Sequence, residues 1–440
     1  MRSFHVLKAT AKISATLLVV LALGVSTNRA ASALIDSSRT VSRIVIVGND
    51  ITKDHVILRE MSTKVGSLLD VDALEQDRKR IYSLQLFNKV DVDYVLDGAE
   101  ATVTVKVSER WYIFPFPIIG FKYHDIKNVY YGAGLLHQNF RGRNEKLVAS
   151  AAFGFDPWYN FSYQNPRLTD DDDLFLRMQI GSSHVRNQNS EVVEYDQTLF
   201  FGNASIGKRF GLFTTVTGTL GYEEWKVGDM QPGRTLSSTG KDHYIVLGAS
   251  YMYDGRDLRE YPLAGDYVAL SATKYGLGES EVDLFRTMID LRRYGSLGGD
   301  VSLCARAFGS FLGGGLCPPY QHAYFGYFER IRGYYTEILE GEDQVGGSLE
   351  LRLPILKPRY ITVSLPSLPP EFSVWRYGVY AAIFADVGTT WYRTAPNVPW
   401  YAGYGAGLHF LLPYSFVVRT EYAFNEQGRG EFILAFHTAF

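Results

Sequence analysis

Gly346-Gly347-Ser348-Leu349-Glu350-Leu351-Arg352-Leu353-Pro354-Ile355 alternates apolar and polar residues with a period of two, the pattern of a strand with two unlike faces. Leu349, Leu351, Leu353 and Ile355 fall on one side, and Ser348, Glu350 and Arg352 on the other. The pattern recurs downstream. Val379, Ala381, Ile383, Ala385 and Val387 oppose Tyr380, Phe384 and Asp386, while Phe416, Val418, Tyr422 and Phe424 oppose Arg419 and Glu421. A soluble sandwich also alternates, burying its apolar face against a second sheet. Composition and the N-terminus decide between the two.

The chain carries 30 Tyr, 27 Phe and 42 Gly against 2 Cys. Aromatic residues favour strands, and they form girdles at both interfaces of transmembrane barrels. Residues 1–33 have the layout of an export signal: basic Arg2, Lys8 and Lys12, an apolar core from Ile13 to Gly24, and Ala31-Ser32-Ala33 as a small-residue cleavage site. After it, no run approaches the ~20 apolar residues of a membrane helix. The segment from Trp111 to Phe440 divides into sixteen strands, an even number as in bacterial outer-membrane barrels, with about 20 residues per strand and connection. The expected fold is therefore mainly β, a 16-stranded antiparallel transmembrane barrel over residues 111–440.

Residues 39–110 read as a separate small α+β unit. Arg43 to Val47 forms a strand stopped at Gly48-Asn49. Thr52 is placed to cap a first helix through Val56, Ile57 and Met61, and Asp70 or Asp72 a second through Leu74 and Ile81. Phe87 to Val95 and Ala101 to Val107 follow as a hairpin turning at Asp97-Gly98. Between the eleventh and twelfth barrel strands lies a long loop with an aromatic-flanked Ile331-Arg332-Gly333-Tyr334. A guanidinium is a planar fork of donors that matches carboxylates. Folded into the lumen, Arg332 would meet Asp386 or Glu350, both on the inward face by alternation. Gly333 would let the backbone pass close to the wall, with Tyr334 packed on it.

The strand-helix-helix-strand-strand order of residues 39–110 resembles a POTRA domain, and one copy fits before the barrel. Ile331-Arg332-Gly333-Tyr334, Gly346 to Pro354, Phe384-Ala385-Asp386-Val387-Gly388 and Tyr253 to Asp257 with Pro262 and Gly265 are similar to motifs of the BamA/TamA-like outer-membrane assembly and secretion superfamily. The resemblance implies that Arg332 reaches Asp386 and fixes the loop. It also implies that Phe432, Leu434, Phe436 and Phe440 form a C-terminal assembly signal. The last strand departs from the family pattern in lacking an internal glycine.

Function follows as expectation. The POTRA-like domain would take an extended client by strand augmentation along Lys89, Val90, Asp91, Val92 and Asp93, and the barrel would offer its seam or its lumen. The partners implied are unfolded outer-membrane or secreted proteins, outer-membrane lipids and accessory lipoproteins. The alternatives are a two-partner-type transporter passing an exoprotein through the lumen, or a passive porin-like barrel. A net charge of −3 gives no basic field for nucleic acid. No nucleophile elbow or phosphate-binding glycine loop is present. No His/Cys spacing suggests a metal, so no enzyme activity and no cofactor are expected. Cys304 and Cys317 are close enough in sequence for a loop-closing disulfide, or for two inert thiols.

Overall fold

The structure, a computed structural model, describes residues 39–121, 127–169, 172–186, 195–228, 233–277, 281–363, 370–395 and 398–438. The export signal at 1–33 and Phe440 lie outside these residues.

The N-terminal unit contains β1 (Thr40–Val47), α1 (Asp54–Leu58), α2 (Val71–Tyr82), β2 (Phe87–Asp97) and β3 (Glu100–Glu109). Its sheet order is β1-β3-β2, with β3 parallel to β1 and antiparallel to β2. Asp70 caps α2, its carboxylate accepting from the amides of Asp72 and Ala73. Leu74 and Ile81 of α2 then pack on Val103 and Val105 of β3 in one buried core. Thr52 does not cap α1. Lys53 occupies that position without a side-chain bond, because the Thr52 hydroxyl instead meets Tyr112 Oη at 3.0 Å and Asn139 Nδ2 at 2.9 Å.

The barrel sheet contains sixteen strands: β4 (Ile113–Phe121), β5 (Val129–Phe140), β6 (Glu145–Gly154), β7 (Trp158–Asn165), β8 (Leu174–Arg186), β9 (Asp196–Phe210), β10 (Thr214–Val227), β11 (Lys241–Asp254), β12 (Gly265–Leu277), β13 (Leu284–Gly298), β14 (Val301–Gly314), β17 (Asp343–Thr362), β18 (Val374–Trp391), β19 (Tyr401–Leu412), β20 (Phe416–Asn425) and β21 (Gly430–Ala435). A short hairpin, β15 (Ala323–Phe325) with β16 (Leu339–Gly341), sits in the connection from β14 to β17. The sixteen strands pair as neighbours in order from β4 to β21, so these two are the sheet's edges, and no ladder joins them among the described residues. Alternation holds along the wall. Ile355, Ile383, Phe416 and Phe432 are exposed on the outside, and Glu350, Arg352, Asp386, Arg419 and Glu421 are buried inside.

The structure decides between the two alternatives for the cysteines and shortens the last strand. Cys304 and Cys317 are both free thiols. Cys304 lies within β14 and Cys317 beyond its end at Gly314; ten residues at ~3.4 Å each put the strand's end far outside disulfide reach. Of the Pro-rich 357–376 segment, residues 357–362 belong to the end of β17 and 374–376 to the start of β18, since β17 runs 20 residues and β18 runs 18. The last strand ends at Ala435 instead of continuing to 440. There the chain bends inward, and the His437 carbonyl accepts from Arg419 Nε at 2.6 Å.

The small domain docks against the barrel's periplasmic end. Leu258, in the β11–β12 connection, joins the small domain's own apolar core. Glu60 takes both Arg209 Nη atoms at 2.6 and 2.7 Å, Lys79 meets Asp257 at 3.3 Å, and Arg110 donates to Ser415. Burial alone would raise the Glu60 carboxyl, but the Arg209 hydrogen bonds and charge outweigh it and hold the group below the usual carboxylate range.

Candidate functional site: the loop locked inside the barrel

The loop reaches the lumen because small residues let it approach the wall. Gly333 has φ 104°, and a Cβ there would stand 2.8 Å from the Phe424 carbonyl oxygen. Across from it, a Cβ on Gly403 would lie 1.6 Å from the Arg332 carbonyl oxygen. Any side chain at either position pushes the loop off the wall. Ile331 and Tyr334 are buried with Phe325 and Leu339, and Tyr334 packs edge-on against Tyr401.

That placement buries Arg332 among carboxylates. Its Nε and Nη2 donate to the two oxygens of Asp386 at 2.7 and 2.8 Å, a bidentate pair. Nη1 donates to Glu350 at 2.6 Å and to Glu421 at 3.1 Å. The guanidinium carbon lies 3.6 Å from the centre of the Phe384 ring. Charge is balanced nearby, because Arg352 donates to Glu350 at 2.8 Å and Arg419 to Glu421 at 2.8 Å. Three carboxylates thus face three guanidinium groups. Glu350, His409 and Glu421 place donor atoms within 4.8 Å of one another, but the arginines supply the positive charge that a metal would otherwise bring.

Both carboxylates singled out from sequence, Asp386 and Glu350, lie in contact with Arg332. Sequence reasoning missed the other partners. Glu421 was placed on the inward face but not paired with the loop. Glu431, on β21, accepts from the amides of Gly333 and Tyr335 at 2.8 and 2.7 Å, so the loop is tied to the last strand. Its alternation with Phe432 was the available signal. Glu426 accepts from the Tyr334 hydroxyl. Tyr261 enters the lumen from the periplasmic β11–β12 connection and meets His409 Nδ1 at 2.9 Å, and His409 Nε2 lies 3.1 Å from Glu421. Arg352 also donates to the Pro262 carbonyl at 2.7 Å. Nothing in the sequence pairs Tyr261 with a residue 148 positions away.

The remaining residues named from sequence are separate from this cluster. Lys89 to Asp93 lie on β2, which is an edge of its sheet. Asn88 at its start donates to the Glu371 carbonyl of the barrel. Phe432, Leu434 and Phe436 point outward and are exposed.

Residues 139–437 match the Omp85 superfamily domain, and residues 39–110 match a POTRA family described as a surface antigen variable number repeat. The chain belongs to the Omp85 superfamily, whose BamA-like members sit in the bacterial outer membrane with POTRA domains in the periplasm. It is 24% identical over 348 residues to the outer membrane protein assembly factor BamA of Nitratidesulfovibrio vulgaris, covering 74% of this chain and 42% of that relative. The fold is similar to BamA from Haemophilus ducreyi lacking POTRA domains 1–3, with a TM-score of 0.54 at 18% identity over 90% of this chain and 83% of that one. It is equally similar to CdiB from Escherichia coli, at TM-score 0.54 and 11% identity, covering 91% of this chain and 74% of that one.

Proposed function

We propose that this chain is an outer-membrane assembly or translocation factor without catalytic residues. The POTRA domain takes an extended client by backbone hydrogen bonds along the β2 edge at Lys89, Val90, Asp91, Val92 and Asp93, and the barrel receives it. The observation that carries the reading is the joint presence of a sheet edge with no ladder partner among the described residues, below the barrel, and a loop fixed inside it. An edge row of amides and carbonyls is a template for another strand, and polar backbone cannot cross lipid unpaired. Arg332, Asp386, Glu350 and Glu421 are positioning residues that hold the loop against β17, β18 and β20. A passive porin gives no reason for a domain docked across its periplasmic end, as Glu60–Arg209 and Leu258 are here.

The test is depletion of the chain in its host, with quantitative proteomics of outer membrane and medium. Loss of several outer-membrane barrels supports assembly, and loss of one exported protein supports translocation. Unchanged levels in both fractions overturn the proposal.

A further inference from the structure

Between the small domain and the barrel wall lies a cavity of about 380 Å³. Its walls come from both units. Arg59 and Glu60 follow α1, Lys146 and Arg177 lie on β6 and β8, and Arg256 and Arg259 belong to the β11–β12 connection. Eight Lys and Arg side chains line it against two carboxylates, Glu60 and Asp254. Both carboxylates are already engaged. Glu60 holds Arg209, while Asp254 accepts from Arg256 Nε and Nη2 at 2.7 and 3.0 Å and lies 3.1 Å from Arg259 Nε.

Two cations are left over. Lys146 stands opposite Gln164, Gln164 opposite Arg177, and Arg177 opposite Ser205, so the four form a lateral row on one side of the wall. Phe161, Met178 and Ile206 are exposed on the outer face, and alternation therefore turns Gln164, Arg177 and Ser205 to the lumen. Strands ~4.8 Å apart set the roots of Lys146 and Arg177 about 10 Å from each other. Neither side chain meets a carboxylate among the described residues. The charged groups around Lys146 are Arg259 and Arg177, and Arg177 has the Phe175 ring beneath it at 5.2 Å. Arg59 Nε is buried without a hydrogen bond, 3.5 Å from Asp173. Like charges held this close repel. Around Arg332 the same barrel sets three carboxylates against three guanidinium groups, so the surplus belongs to this cavity and is not a general property of the lumen.

We propose that the cavity binds a compact phosphate-bearing anion, gripped by Lys146 and Arg177 from the wall and by Arg59 and Arg259 from the periplasmic side. A guanidinium fork matches phosphate oxygens. Each phosphoryl group brings about −1.5 to −2 charge and three acceptor oxygens, so a pyrophosphate-sized group offsets the surplus within this volume. Carboxylates bring one charge each, and an acidic peptide needs several residues to do the same. Because the walls belong to both units, the bound anion also ties the POTRA domain to the barrel. The site goes beyond the client-handling role and does not depend on it.

The test uses the full chain folded in phosphatidylcholine vesicles, with pyrophosphate as the probe and calorimetric titration as the readout. Lys146→Gln with Arg177→Gln should weaken binding by on the order of tenfold or more, the effect of two lost charge-assisted hydrogen bonds. Each single replacement should do so by a smaller factor. Lys241→Gln, which removes a cation paired with Glu224 away from the cavity, should leave binding unchanged. Pyrophosphate should raise the unfolding temperature of the natural chain and leave that of the double variant where it is, with heat-modifiable migration as the check on folding. Repeating the titration in vesicles containing phosphatidate separates the sources of the ligand. Binding lost there assigns the site to a lipid headgroup and binding retained assigns it to a soluble phosphate, and both keep the site. Equal binding by the natural chain and the double variant, or equal loss in Lys241→Gln, means general attraction of counterions and overturns the proposal. A hexa-aspartate peptide that binds the natural chain more tightly than pyrophosphate, and loses that binding in the double variant, overturns the assignment to phosphate.

Discussion

At the scale of single residues, the lumenal cluster is a buried ionic network, and its failure mode is asymmetric. Removing one member of a buried pair leaves the other charged and unpaired, at about 3–5 kcal/mol. Arg332→Glu sets a fourth carboxylate beside Asp386, Glu350 and Glu421, while Asp386→Arg leaves Arg332 facing another guanidinium. Each single change should abolish heat-modifiable folding or lower client levels in the outer membrane. The double swap restores an Arg–carboxylate pair at that site, although Glu350 and Glu421 then face a negative charge on the loop, so recovery should be partial. Three variants indistinguishable from the natural chain would make the motif incidental. The Glu60–Arg209 pair gives a pH dependence with a defined sign. Its folded-state carboxyl is depressed, so its stabilisation is complete above the unfolded value of 4.5 and is lost as pH falls through the depressed one. Unfolding followed by fluorescence from about pH 7 down to about pH 3 should show acid destabilisation. Glu60→Gln should remove that component from the profile, at the cost of lower stability at neutral pH.

At the scale of elements, strands and their antiparallel order were legible, and the contacts made by their connections were not. Sixteen strands and the inward faces of β17, β18 and β20 follow from period-two alternation, because each strand separates lumen from lipid along its own length. The order of the POTRA elements follows equally from turn residues and helical spacing. The β11–β12 connection shows where this stops. Its Tyr253 to Asp257, Pro262 and Gly265 were recognisable as a motif, but a periplasmic turn is expected to be short and solvated, and this one folds both ways. Leu258 enters the POTRA core and Tyr261 the lumen, so one short connection joins the docked domain to the network around Arg332. Such contacts join positions far apart in sequence, and alternation carries no information about them. Tyr261→Phe keeps the ring over Arg352, whose guanidinium carbon is 4.3 Å from its centre, but removes the hydroxyl from buried His409. It should lower stability by roughly 1–3 kcal/mol in denaturant unfolding while leaving the POTRA domain folded. A variant as stable as the natural chain would show that His409 needs no partner from below.

At the scale of the whole molecule, the chain is arranged as a wall closed from both ends by its own segments. The loop of Ile331 to Tyr334 descends from the extracellular side and is pinned to β18, β20 and β21. The POTRA domain rises from the periplasmic side and is pinned by Glu60, Lys79 and the apolar contact of Leu258. The two anchors differ in kind. The upper one centres on a buried ionic network, whereas the lower one combines the ion pairs Glu60–Arg209, Lys79–Asp257 and Arg59–Asp173 with hydrogen bonds and the apolar contact of Leu258. If the apolar contact of Leu258 is what keeps the lower end shut, removing it should release the small domain while the upper anchor holds. Leu258→Asp tests this, since it sets a charge against the POTRA core without touching any lumenal carboxylate or arginine. The barrel should still migrate as a folded, heat-modifiable species, because its ladders and the Arg332 network are intact. The POTRA domain should undock, and ion conductance across planar bilayers should rise several-fold over the natural chain, with a smaller rise for Lys79→Ala. Conductance unchanged by Leu258→Asp would mean that the lumen is blocked from above alone, and that POTRA docking positions the β2 edge without closing the mouth.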